Sequence, residues 1–234
     1  MSEEVEILPM GITRVDANSG CVAALTLDGR WFRPGPVLAA DLTVPHSPYR
    51  YRHRLLCQLG SAPGADSRPE DRHLLGYAHL PSGMTAMPES EWLDWCIDHC
   101  DSSAVSSFSG QRSIGLIEAV PLRVYLQRST GQRMFVRMVF RDPAGVSYDW
   151  IVPEIEFSRL SFALSRANAD SMDVSALLLP RLRDVRSFLC LGLTKPNNRF
   201  PGVFRGCQPL VVGVHTFPDY GRMFGYEFSN YDER

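Results

Sequence analysis

Residues 186–220 read RSFLCLGLTKPNNRFPGVFRGCQPLVVGVHTFPDY. Two apolar runs, Phe188 to Leu193 and Pro209 to Val214, flank a polar loop. Runs this short, rich in β-branched and aromatic residues and bounded by Gly, Pro and Asn, read as strands. The loop carries Lys195, Asn197, Asn198, Arg199 and Arg205, with the aromatics Phe200 and Phe204. His215, Thr216, Phe217, Asp219 and Tyr220 follow directly. The stretch reads as the closing hairpin of a β-barrel with a ligand-facing rim.

The residues leading into it repeat that plan. Ser113 to Glu118 and Pro121 to Gln127 read as strands, and Arg128 to Gln132 as a hairpin loop. Arg133 to Asp142 alternates strictly, with Met134, Val136, Met138 and Phe140 on one side and Phe135, Arg137, Val139 and Arg141 on the other. That period of two is the signature of a half-buried strand. Asp142-Pro143-Ala144-Gly145 turns the chain, and Val146 to Val152 returns as a strand. Pro153 to Leu164 opens a helix, with Glu154 and Glu156 near its start. Ala167 to Asp184 reads as a polar stretch around Leu177-Leu178-Leu179. A helix set before the last strands of a five-stranded barrel is an OB-fold layout.

The first half starts the same way. Ile7 to Arg14 and Cys21 to Leu27 are expected strands, Asp28-Gly29 a tight turn, and Arg30 to Pro34 an extended continuation. Val37 to Thr43 and Leu55 to Leu59 are further strand candidates; Gly60 to Asp71 reads as a loop and His73 to Pro81 is undecided. Glu89 to Cys100 reads as a helix, with Trp92, Trp95, Cys96 and His99 at helical spacing. Asp101 to Arg112 is a Ser-rich linker. The expected fold is mainly β: two OB-like β-barrels in tandem with a few short inserted helices. The first would span 1–105, with an insertion over about 60–105, and the second 106–234.

The chain has 234 residues, is 44% hydrophobic and carries a formal net charge of −2 with a pI near 6.3. This is a globular composition, and it argues against a uniformly basic nucleic-acid binder while leaving room for a local basic groove. Lys195 is the only lysine among 24 basic residues. An arginine bias of that kind reads as genome composition, so arginine position carries information and arginine count does not. The six cysteines show no zinc-finger spacing; Cys96, His99 and Cys100 share a helix without a second ligand pair. No metal and no cofactor is expected. The acidic Met1 to Glu6 is not a signal peptide, and no apolar run reaches the ~18 residues of a membrane span, so a cytoplasmic location with reduced thiols and no membrane partner is expected.

Phosphate-loop, dinucleotide, nucleophile-elbow and HExxH motifs are absent from the sequence. Two basic, aromatic stretches remain. In Val44 to Arg54, arginines interleave with Tyr49 and Tyr51, a mix suited to phosphate contacts and base stacking. Its bland alternative is an arginine-rich surface loop. The second is the loop of the closing hairpin. The expected nucleic-acid-binding residues are therefore Arg30, Trp31, Arg33, Tyr49, Arg50, Tyr51, Arg52, Arg54, Lys195, Asn198, Arg199, Arg205 and His215. His215 and Asp219 are the weak catalytic candidates, alternatively a pair that ties down a turn around Pro218.

Four segments carry a family resemblance: the block from Cys21 ending in GRWFRP; PHSPYRYRHRLL; SIGLIEAVPLRVYL through YDWIVPEIEFSRL; and FLCLGLTKP followed by VVGVHTFPDY. In this order they resemble the dual OB-fold-containing domain family of bacterial proteins. The resemblance implies two OB-like barrels in tandem. It also implies binding or sensing of nucleic acid, single-stranded or modified, in bacterial conflict and antiviral defence, where an effector protein would be the partner. The Trp-rich segment within Gly60 to Gln111 departs from the pattern. Two alternatives stand beside this one: an enzyme processing nucleotides or RNA through His215 and Asp219, and a protein-interaction adaptor using Trp92 and Trp95.

Overall fold

A computed structural model describes residues 2–42, 47–62, 68–79, 86–197 and 204–225. In the first half, strand β1 (Glu3–Arg14) is long enough to serve two neighbours. Its start pairs with β5 (Leu55–Leu59) and its end with β2 (Ser19–Thr26). β2 pairs with β3 (Trp31–Gly35), β3 runs parallel to β6 (Asp71–His79), and β6 returns to β5. The ring β1-β2-β3-β6-β5-β1 is thus closed, which leaves no open sheet edge within it. A two-residue strand, β4 (Val37–Leu38), adds to β2 and leads into a 3-10 turn over Ala39–Leu42.

The second half uses the same order. β7 (Ile114–Glu118) and β8 (Val120–Arg128) are separated by Ala119 alone and together do what β1 does. β7 pairs with β11 (Arg186–Leu193), and β8 with β9 (Met134–Arg141). β9 pairs with β10 (Ser147–Val152), β10 meets β12 (Pro209–Phe217) in parallel, and β12 pairs with β11. The expected closing hairpin is therefore β11–β12. The alternation read in β9 holds: Val136, Met138 and Phe140 are buried, while Arg137 and Val139 are less so. Two helices, α2 (Ile155–Ala167) and α3 (Ser175–Leu182), lie between β10 and β11.

Three expectations change. The strand expected over Val37 to Thr43 is confined to Val37–Leu38, and Ala39–Leu42 turns as a 3-10 helix. The stretch around Leu177 holds a helix, α3, which buries Leu178 and Leu182 one turn apart. The Ser-rich linker is packed, with Ala104, Ser107 and Phe108 buried. A helix α1 (Glu89–Asp98) forms where expected, and its face explains how the halves join. Each barrel has its own core, but a third apolar cluster lies between them. Trp92 and Cys96 of α1 meet Leu8 and Met10 of β1, Leu25 of β2, Ile114 and Leu116 of β7, and Phe188 and Cys190 of β11. β1 and β11 are consequently buried on both faces, which is why they read as near-continuous apolar runs.

The seam between the barrels is built from two β-bulges. Met10 is the extra residue of β1 against β2, and Val212 the extra residue of β12 against β11. Each lies over the glycine that follows the other bulge. A Cβ on Gly11 would stand 2.8 Å from Val212, and one on Gly213 would overlap the Met10 carbonyl oxygen. Only glycine allows the backbones this close. A polar clasp closes the seam elsewhere. The buried Glu70 carboxylate accepts from Ser113 N and Oγ, both at 2.7 Å, and the Arg33 guanidinium donates to Ser113 Oγ at 3.1 Å and to Asp71 at 2.8 Å.

Candidate nucleic-acid interface

A cleft of about 1070 Å³ runs along the seam. The first barrel contributes the end of β1, the start of β2, β3 and the segment Arg68 to His73. The second contributes the start of β9, the end of β10, α2 and the inner ends of β11 and β12. The floor is small and apolar, with Gly11, Gly20, Ala23, Gly192 and Val212. The walls mix apolar side chains such as Met134, Phe135, Phe162 and Leu210 with the cations Arg14, Arg33, Arg68, Arg72, Arg133 and Lys195, and Asp71 is the sole carboxylate among the described lining residues. In a chain of net charge −2 this is a strong local concentration of positive charge.

The cations differ in their freedom. Asp71 Oδ1 accepts from Arg33 at 2.8 Å and from Arg68 at 3.0–3.1 Å, so one carboxylate holds two guanidinium groups. Arg33 is 6% exposed and locked in the clasp. Arg14 donates to the carbonyls of Asp16 and Ala17, and Arg72 to that of Asp71 while lying over the Phe32 ring. Among the described residues, none of Arg14, Arg72, Arg133 and Lys195 is in a salt bridge. Arg133 and Lys195 are exposed, one at the cleft edge of each flank formed by β9 and β11.

A second, smaller pocket of about 380 Å³ opens elsewhere on the seam. It gathers Tyr49 to His53 from the first barrel with Val214 to Phe217, Asp219 and Tyr220 from the second, and Trp92 and Glu156 from α1 and α2. His215 is 5% exposed, and its Nε2 lies 2.9 Å from the Met10 carbonyl oxygen. That acceptor requires a proton on Nε2, which makes Nδ1 the lone-pair nitrogen of the neutral ring. Burial lowers the imidazole to about 4, against the opposing pull of the Met10 bond, so the ring is neutral at pH 7. Tyr51 and Trp92 meet it edge-on, with centroids at 4.9 and 5.4 Å. Tyr51 Oη donates to Glu154 Oε1 at 2.8 Å, and Glu154 accepts from the backbone N of Glu156 and Phe157 as the N-cap of α2. Burial pushes the Glu154 carboxyl up to about 7. Glu156 is pushed up to about 9 by burial and then by Glu154, and its Oε2 is buried without a hydrogen-bond partner among the described residues.

The residues expected from sequence divide among several places. Arg33 and Lys195 reach the cleft; Tyr49, Arg50, Tyr51, Arg52 and His215, with Asp219, reach the pocket. Tyr49 is 2% exposed and belongs to the first barrel's core, so it packs instead of offering a stacking face. Arg33 likewise spends its guanidinium on the clasp. Arg52 donates to the Met87 carbonyl, Arg54 pairs with Glu6 and Glu91, and Arg205 donates to the Arg112 carbonyl. Arg30 is paired with Glu3 and Asp28, outside both cavities, and Trp31 packs on the inter-barrel core. Asn198 and Arg199 lie outside the described residues. Asp219 caps the short helix α4 (Tyr220–Met223) through Arg222 N. Trp92 is 2% exposed and Trp95 stacks on it at 5.1 Å, so the α1 face faces inward. Arg14, Arg68, Arg72 and Arg133 were not singled out by sequence; against an arginine-rich background no local motif marks them.

Comparison with known protein families finds no match, and comparison with curated proteins finds none. Among the described residues no helix is long and apolar enough to cross a membrane, and no cluster of metal-ligand side chains occurs.

Proposed function

We propose that the protein is a binding module for single-stranded or modified nucleic acid, held in the cleft between the two OB-like barrels. The observation that carries the reading is the cleft's charge: six cations against one carboxylate around an apolar floor. Arg14, Arg72, Arg133 and Lys195, outside salt bridges among the described residues, suit a phosphate backbone, which rewards each neutralised phosphate by releasing condensed counterions. The groove between barrels suits an extended strand, as in OB-type single-strand binders. The sequence resemblance to the dual OB-fold-containing family points the same way and suggests a sensing role in bacterial defence, with an effector protein downstream. The enzymatic alternative is less favoured, because Asp219 is occupied as a helix cap and His215 Nε2 is committed to Met10.

The test is fluorescence anisotropy of the whole chain with labelled single-stranded RNA, single-stranded DNA and duplex at two salt concentrations. Saturable binding to single strands that weakens steeply with salt is expected. Absence of binding to all of them at low salt overturns the reading.

A further inference from the structure

The pocket behind His215 is not absorbed by the cleft. Among its charged lining residues, Arg52 is tied to the Met87 carbonyl, Arg222 is paired with Glu89, and Asp219 caps α4. The rest of the lining is a different environment. Tyr51, Trp92, Phe217 and Tyr220 supply ring surface, and Ile12 and Val214 supply aliphatic surface. Two polar groups stand among these walls with bonding capacity left over. One is Glu156 Oε2, buried and unpartnered among the described residues. The other is His215 Nδ1, the acceptor that remains once Nε2 donates to Met10.

We propose that this pocket binds one uncharged, planar heterocycle of the nucleobase type, with Glu156 and His215 Nδ1 as its polar edge and the aromatic rings as its walls. The volume, about 380 Å³, is at the small end of ligand pockets and admits a base or nucleoside. The polar pattern selects for the ligand's chemistry. A carboxyl that keeps its proton offers O–H and C=O side by side, the complement of a ring amide's C=O and N–H. A neutral imidazole nitrogen accepts one further N–H. A formally charged ligand would have to give up its hydration against the ring walls while Arg52 and Arg222 already hold partners, which is unfavourable. Recognition of an unstacked base by hydrogen bonds to its edge between aromatic side chains uses the same elements. The proposal goes beyond the cleft reading and does not depend on what the cleft binds.

The test is isothermal titration calorimetry of the whole chain with adenine, guanine, hypoxanthine, cytosine and uracil, and with their nucleosides. Saturable one-to-one binding of at least one is expected. Glu156→Ala should weaken it by roughly tenfold or more, since it removes the amide's partner. Glu156→Gln, which keeps a neutral donor and acceptor, should retain most of the affinity. Arg133→Ala, in the other cavity, should leave it unchanged, and thereby separates this site from the cleft. No binding of any base or nucleoside to the folded protein overturns the proposal. So does binding that Glu156→Ala leaves intact.

Discussion

Gly213 has no room for a side chain, and the obstacle is backbone. An added Cβ would overlap the Met10 carbonyl oxygen of the opposite barrel, the same atom that accepts from His215. A flexible side chain could swing aside; a bulged main chain held in two ladders cannot. Gly213→Ala is therefore expected to destabilise by about 3 kcal/mol or more, read as a fall in the urea midpoint. Gly76→Ala is the control, because nothing lies within 4 Å of its added Cβ, and it should change stability by less than ~0.5 kcal/mol. Equal effects would show that the seam is not a tight contact. Glu156 makes a second residue-scale prediction. Its carboxyl is raised from 4.5 to about 9 by burial and then by Glu154, with Arg159 opposing and Asp219 adding. Between those values the folded chain keeps a proton that the unfolded chain has lost. Its contribution to stability is thus full below about pH 4.5 and declines as pH rises toward 9. Glu156→Gln removes that decline. The variant's melting temperature should exceed the wild type's by several degrees near pH ~8.5 and differ little near pH ~5. A difference independent of pH would mean that Glu156 is ionised in the folded protein at neutral pH.

At the scale of elements, α1 is the part whose removal would be felt in both barrels. Trp92 is buried between β1 and β2 on one side and β7 and β11 on the other. Trp92→Ala should cost about 3–5 kcal/mol, the range for a large aromatic truncated in a core. Calorimetry should show the loss in a single transition if the barrels unfold together, whereas two separated transitions in the wild type would refute a shared core. Much of this layout was legible. The alternation of Met134 to Arg141 gave β9 and its inward face, and the Trp92–Cys96 stripe gave α1. A stripe, though, tells which face of a helix is buried and not against what, so the inter-barrel position of α1 was hidden. α3 was missed because Pro180 stands inside it, a residue that argues against a helix until Leu178 and Leu182 find a core to bury in. β6 was undecided because its apolar residues do not alternate in sequence, Leu74 and Leu75 being adjacent, and the strand is little buried; its course is set by the ladders to β3 and β5.

On the scale of the whole molecule, the cleft exists only because two barrels meet. Its cations come from positions as distant in sequence as Arg14, Arg72, Arg133 and Lys195, each unremarkable in its own segment. Beside the closing-hairpin loop, sequence reasoning singled out the dense run from Tyr49 to Arg54, where basic and aromatic residues are neighbours in the chain. In the fold that run is drawn inward: Tyr49 enters a core, Tyr51 bonds Glu154, and Arg52 and Arg54 find partners. Of the residues expected from sequence, Lys195 is the one that stands exposed at the cleft. A binding experiment can weigh the two distributions of charge against each other. Arg133 and Lys195 are exposed and outside salt bridges among the described residues, so replacing both with Ala should leave the fold intact. If each contacts one phosphate, the dependence of log affinity on log salt for a single strand should flatten by ~0.7 per residue, about 1.4 for the pair. Arg30 and Arg54 are also cations but are paired with carboxylates outside the cleft. Arg30→Ala with Arg54→Ala removes the same charge from the chain and should leave that slope unchanged. A loss shared equally by the two double variants would mean that binding follows total charge, and the cleft would lose its claim to be the interface.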